Sequence, residues 1–185
     1  MDSTDEKIIE LSRKKLGLLL LGACVFVALG AWLLSLDEAS IRSQRGFLLF
    51  FNDPTYARVL GLLSIVFFGI CGLFAFKKLF DKKPGLVFNN FGIVDNASGV
   101  AAGLIPWSEV VGSEVFEIQK QKMLIIKVSD PQKYIERGGA LRRTLNKANY
   151  KMCGSPIAIP SNALKINFSE LLSLFNQYQR KYGNA

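Results

Sequence analysis

The stretch VLGLLSIVFFGICGLFAFKKLFDKK, Val59 to Lys83, decides how this chain is organised. Its first eighteen residues, Val59 to Phe76, carry no charge, and the next seven hold Lys77, Lys78, Lys82 and Lys83. An uncharged run of about 18 or more residues can cross the hydrocarbon core of a bilayer as a helix. A dense basic collar at one end marks the side that stays in the cytoplasm. Everything before this stretch reads as membrane anchor, and everything after it as one small soluble domain.

Upstream, Leu16 to Leu36 forms a second uncharged run of 21 residues, preceded directly by Arg13, Lys14 and Lys15. A secretory signal peptide would have an apolar region of about 7–15 residues and then a small-residue cleavage site. This run is longer and ends in Leu33-Leu34-Ser35-Leu36-Asp37, so an uncleaved span is expected. Transmembrane helices are thus predicted at about 16–36 and 59–76, within an anchor covering 1–83. Ser3, Thr4 or Asp5 would cap a short helix leading through Ile8, Ile9 and Leu11 into the first span. The connection, residues 37–58, carries Asp37, Glu38, Arg42, Arg45, Asp53 and Arg58, so its charges cancel. Both outer flanks are more basic, which places the two chain ends in the cytoplasm. Trp32 and Tyr56 fall near the opposite interface. Phe47 to Phe51 reads either as a partial turn in that interface or as an extension of the second span.

Gly22 and Gly30 on one span, and Gly61, Gly69 and Gly72 on the other, offer places for close helix approach. Neither run holds an Asp, Glu, Lys or Arg, the residues that mark a transport or proton path. The hairpin therefore reads as an anchor.

The whole chain has 185 residues, half of them hydrophobic, and a formal charge of +8 from 23 basic and 15 acidic side chains. Up to Lys83 there are 11 basic and 8 acidic residues, and beyond it 12 and 7. This mild balance suits anionic headgroups and is too diffuse for nucleic acid. The chain has no histidine, so the commonest metal ligand and general base are missing. Cys24 and Cys71 lie in the apolar runs and Cys153 stands alone in the soluble part, which leaves no zinc or disulfide pattern there. No cofactor is expected.

Residues 84–185 suffice for one domain. Leu86-Val87-Phe88, Gly92-Ile93-Val94, Leu104 to Trp107, Val115 to Ile118 and Met123 to Val128 read as a meander of five or six short antiparallel strands. Asn89-Asn90 and Gln119 to Lys122 supply turns. Asp130-Pro131 opens a helical insert, about 131–152, broken at Gly138-Gly139. Ile157-Ala158-Ile159 gives a last strand. A final helix, from about Ser169 to Tyr182, places Leu171, Leu172, Leu174, Phe175 and Tyr178 at helical spacing. The expectation is an α+β fold: a transmembrane helical hairpin, then a bent antiparallel sheet closed by a C-terminal helix.

Phe91-Gly92-Ile93 followed by Ile105-Pro106-Trp107-Ser108-Glu109-Val110 resembles the G-I … I-P-W-x-x-I pattern of bacterial pleckstrin-homology (PH)-like domains. Tyr150 to Ile159, with Gly154-Ser155-Pro156-Ile157, and Leu164 to Leu172 resemble a group of bacterial membrane proteins with two N-terminal helices and a PH-like cytoplasmic domain. The resemblance covers most of the chain. It implies that Trp107 lies on a strand and that the protein sits in the bacterial inner membrane. The helical insert departs from the PH pattern, so the usual PH ligand pocket is not carried over.

Among candidates for chemistry, Cys153 follows Lys147 and Lys151, which could lower its pKa; the alternative is an idle thiol. Asp95, Glu109, Glu114, Glu117, Asp130, Glu136 and Glu170 show no spacing of a metal site or acid–base pair. Gly99 to Gly103 lacks the lysine and serine of a phosphate loop and reads as a turn. Trp107 reads as core. The candidate lipid- or partner-binding residues are Arg137, Arg142, Arg143, Lys147 and Lys151, of which 143, 147 and 151 share a helix face. An ordinary solvated face is the alternative. The expected function is a non-enzymatic, multi-pass inner-membrane protein that presents its cytoplasmic domain to membrane lipids or a protein partner. The alternative is an accessory subunit of a larger membrane enzyme or transport complex.

Overall fold

The computed structural model describes residues 5–37 and 54–183, which divide into two compact units. One unit is Lys14–Asp81; the other joins the residues up to Arg13 to those from Lys82 onward. The fold is α+β, with two long apolar helices, antiparallel sheets and a C-terminal helix.

Helix α1 spans Arg13–Ser35 and α2 spans Pro54–Leu79. Both exceed the apolar runs because they take in polar ends. Arg13, Lys14 and Lys15 form the first turn of α1, and Lys77 and Lys78 the last turn of α2. Pro54 opens α2, where its missing N–H and fixed φ cost nothing. The segment Phe47 to Phe51 lies outside the described residues. Both helices are long and apolar enough to cross a membrane, and only 17 % and 6 % of their apolar windows are buried. A core helix of a water-soluble protein would be mostly covered.

The helices touch through small residues. A Cβ on Gly30 would lie 2.8 Å from Gly61 O, and one on Gly61 would lie 2.8 Å from Gly30 O. Only glycine at both positions lets the backbones meet. Ser64 Oγ donates to Phe26 O at 2.9 Å, and the Phe26 and Phe68 rings stack with centroids 4.2 Å apart. Gly72 faces Ala23, whereas Gly22 and Gly69 face open space. Three of the five expected glycines therefore serve the contact.

The second unit contains a correction. The sequence predicts a short helix capped by Ser3, Thr4 or Asp5 and leading through Ile8, Ile9 and Leu11; Ser3 and Thr4 lie outside the described residues. Instead Lys7–Ile9 is strand β1, antiparallel to β2 (Leu86–Phe88), with Lys7 opposite Phe88 and Ile9 opposite Leu86. Pairing with β2 decides it, and burial then alternates as in a strand: Ile8 and Glu10 are exposed while Ile9 and Leu11 are buried. Beyond the strand, Lys165 N donates to Glu10 O at 2.9 Å and Ser12 N to Ala163 O at 2.7 Å. The second unit is thus built from residues on both sides of the two long helices, and residues 5–12 belong with it and not with the helices, where the expected bounds 1–83 had them.

Strands β3 (Gly92–Asp95) and β4 (Gly103–Pro106) complete a first sheet in the order β1-β2-β3-β4. Asn89 Oδ1 accepts from Phe91 N and Gly92 N and so makes the β2–β3 turn. A Cβ on Gly92 would sit 2.2 Å from Ile105 O, so this strand crossing requires glycine. A 3-10 turn, Trp107–Glu109, leads into β5 (Val110–Ile118), β6 (Gln121–Val128) and later β7 (Ile157–Pro160), the second sheet in that order. Trp107 therefore lies on the turn between the sheets, not on a strand as the resemblance implied.

Between β6 and β7 run α3 (Pro131–Ile135) and α4 (Ala140–Cys153), the expected insert. Asp130 accepts from Lys133 N, and Gly154 ends α4 at φ 73°. Helix α5, Phe168–Tyr182, starts in a capping box of Asn167 and Glu170. It buries Leu171, Phe175 and Tyr178. Trp107 is 2 % exposed and meets Phe88, Phe175 and Tyr178 at ring centroids 5.9–6.5 Å apart. Its indole N–H donates to Asn89 O at 2.8 Å, so the core satisfies its one polar atom.

A fragment of residues 84–185 lacks β1 and the burial of Ile9 and Leu11, each worth about 1.5–3 kcal/mol. It should unfold at clearly lower denaturant than the same fragment carrying residues 5–12 on a flexible linker; equal midpoints by circular dichroism would contradict the assignment of β1. In the hairpin, Gly61→Leu should force the helices apart and abolish a disulfide engineered between Ala23→Cys and Gly72→Cys, whereas Gly69→Leu should leave it intact.

Candidate functional site

The basic residues singled out in the sequence separate into two groups. Arg137 lies over the Tyr134 ring, 4.1 Å from its centroid, and donates to Ala102 O at 2.7 Å and Leu104 O at 3.1 Å. Arg142 donates to Ala101 O. Arg143 donates through Nε to Glu136 O at 3.0 Å and Gly138 O at 3.1 Å. These three guanidinium groups fasten the insert to itself and to the loop before β4. Lys147 and Lys151 are exposed on α4 and make no ion pair among the described residues. Periodicity identified the helix but not which cations were already engaged.

The loop held by the arginines is organised by Asp95. Its buried carboxylate accepts from Ala97 N at 2.8 Å and Ala102 N at 2.7 Å. Asp95 sits in a turn-rich stretch, and only the folded structure reveals that it closes the loop from within. Glu109 accepts from Lys133 Nζ at 2.6 Å and Tyr134 Oη at 2.7 Å. The Lys133 hydrogen bond, then that of Tyr134, hold its carboxyl below the usual range. Burial first, then the bond to Glu109, push the Tyr134 phenol up. This cluster pins α3 to the turn that carries Trp107.

Helix α4 covers a polar face and exposes its apolar residues. Arg142, Asn146, Asn149 and Cys153 are its covered side, and Asn146 Nδ2 donates to Tyr134 O at 3.1 Å. Leu141, Leu145 and Met152 are 69 %, 45 % and 50 % exposed. The inward face is polar because it must meet the carbonyls left open at the end of α3. The leucines are left outside. A helix wheel drawn from sequence marks both faces without saying which one is inward.

Elsewhere the groups serve the fold. Burial pushes the Cys153 thiol up, and its Sγ donates to Asn149 O at 3.0 Å, so the lysines nearby do not make it a ready nucleophile. Glu114 pairs with Lys127, and Glu136 accepts from Gln132. Asp130 and Glu170 cap helices. Among the described residues no group of three His, Cys, Asp or Glu side chains could hold a metal ion. An open groove beside β1 and α5 is lined by Ile8, Glu10, Lys165, Leu174 and neighbours; the Glu10–Lys165 ion pair occupies its polar side. In the collars, Arg13, Lys14, Lys15, Lys77, Lys82 and Lys83 are exposed, while Lys78 pairs with Asp81 at 3.0 Å.

No family model, curated protein or solved structure matches the chain. The functional reading therefore rests on this geometry alone.

Arg137→Ala and Arg142→Ala should each remove charged hydrogen bonds to carbonyls of the loop before β4 and destabilise the protein by about 1–3 kcal/mol. Lys147→Ala and Lys151→Ala should stay within about 0.5 kcal/mol of the parent chain. Chemical denaturation of the four variants checks this; equal losses at all four positions would remove the distinction between engaged and free cations.

Proposed function

We propose that the chain is a multi-pass protein of the bacterial inner membrane. In this reading α1 and α2 cross the bilayer, and a PH-like domain in the cytoplasm acts as a non-enzymatic binding module. The observation that carries the reading is the pairing of β1 with β2. β1 precedes the two candidate spans and β2 follows them. Strands that share backbone hydrogen bonds must lie on the same side of a membrane, so an even number of crossings separates them.

The collars supply the side. Arg13, Lys14 and Lys15 occupy the first turn of α1, where a cation opposes the helix dipole by about 0.3–1 kcal/mol. Their position makes sense as a cytoplasmic signal shared with Lys77, Lys82 and Lys83. A PH-like assignment is supported by the sheet orders, four strands and then three, with a turn between them and a helix closing the core at the end of the chain. Binding is favoured over catalysis because the polar groups that could do chemistry are engaged in capping and fastening.

The test is labelling of intact cells and inverted membrane vesicles with a membrane-impermeant maleimide, in a chain whose own cysteines are replaced. Glu6→Cys and Lys120→Cys should react only in inverted vesicles, and Arg45→Cys, between the spans, only in intact cells. Labelling of Glu6→Cys and Lys120→Cys from opposite sides would overturn the topology.

A further inference from the structure

We infer that α4 is an interfacial helix that lays its outward apolar stripe into an anionic membrane leaflet. The inference rests on the topology proposed above and goes beyond it by naming the surface and what it meets.

Leu141, Leu145, Ala148 and Met152 fall within about 60° of one another at 3.6 residues per turn, and all four are exposed. Lys151, Lys147 and Arg143 follow in order along one flank of the stripe. The opposite flank is the covered face built around Asn146. The helix contains Arg142, Arg143, Lys147 and Lys151 and no acidic residue. An apolar stripe with basic residues beside it is the composition of helices that lie in the plane of a membrane interface.

The inversion is what gives the stripe meaning. Scattered exposed leucines are ordinary on protein surfaces. Here the helix turns asparagines and an arginine inward and aligns its apolar residues outward over three turns. Among the described residues they stay largely uncovered: Leu141, Leu145 and Met152 are 69 %, 45 % and 50 % exposed.

Charge favours lipid over other occupants. A second copy would bring its own Lys147 and Lys151 beside the same stripe, with no acidic residue on the helix to offset them. An anionic leaflet offers the complementary charge and accepts the leucines at the depth of the acyl boundary. The tethers shorten the search. Residues 10–12 separate β1 from α1, and residues 80–85 separate α2 from β2. Short linkers keep the effective concentration of an adjacent surface high.

The experiment uses the full-length chain, with its own cysteines replaced, in lipid nanodiscs. An environment-sensitive fluorophore is placed at Leu145→Cys and, as a reference, at Lys120→Cys. The discs contain phosphatidylcholine alone or with phosphatidylglycerol, each with and without a nitroxide on the acyl chain. The inference expects blue-shifted emission and nitroxide quenching at position 145 in phosphatidylglycerol discs. Both should fall to the phosphatidylcholine level with Lys147→Glu/Lys151→Glu, and position 120 should stay unquenched.

A position-145 probe that remains water-exposed in both discs would overturn the inference. A shift without nitroxide quenching would do so too, and would point to a protein on the stripe instead. Circular dichroism of each variant checks that the fold is kept. The maleimide labelling reads topology separately, so a failure of α4 to meet lipid is distinguishable from a failure of the membrane reading itself.

Discussion

The backbone pairing of β1 with β2 is the constraint on which the rest of the chain depends. Ile9 and Leu86 face each other in register although the whole apolar hairpin lies between them in sequence. Closing so long a loop costs entropy that grows only slowly with its length, and the contact between α1 and α2 shortens the loop that β1 and β2 must close. In return, β1 supplies Ile9 to the core, and Leu11 just beyond it bridges to Leu164. The domain is therefore incomplete without residues on both sides of the hairpin.

The same clasp continues at the chain ends. Asp5 accepts from Lys181 Nζ at 2.6 Å and Tyr182 Oη at 2.9 Å, and Tyr178 Oη lies 3.1 Å from its Oδ1. The Lys181 hydrogen bond, then that of Tyr182, lower the carboxyl of Asp5. Burial and the bond to Asp5 push the Tyr178 phenol up to about 12. A depressed carboxyl contributes above its ordinary range and ceases to do so as pH falls through the folded value. The charged part of the clasp, Asp5 with Lys181, is thus present at neutral pH and weakens as pH falls into the acid range. Tyr178 joins it to the core, since the same ring packs on Phe88 and Trp107.

The insert obeys a different logic. Arg137 and Arg142 bind carbonyls of the loop that Asp95 closes, and Asn146 binds the end of α3. Once polar contacts occupy the inner face of α4, its apolar residues have no core to enter. The basic cluster that looked like one surface is two devices: arginines that hold the insert in place, and lysines that remain at the surface beside an apolar stripe.

Much of this was legible in the residues. Two uncharged runs of 21 and 18 residues, with collars at their outer ends, determined two long apolar helices. Short apolar runs between turn residues determined β2 to β7, Asp130-Pro131 determined the start of the insert, and helical spacing determined the buried side of α5. These signals are local: each lies within one element, where periodicity and capping act. Tertiary structure decided what depends on distant partners. Residues 7–9 are too few to show a period unless β2 is there to pair with. Trp107 turns at the corner because Asn89 receives its N–H. The inward face of α4 is polar because carbonyls of Tyr134 and Ala101, remote in sequence, must be satisfied. Composition names the faces of a helix; only the groups packed against it settle which one is covered.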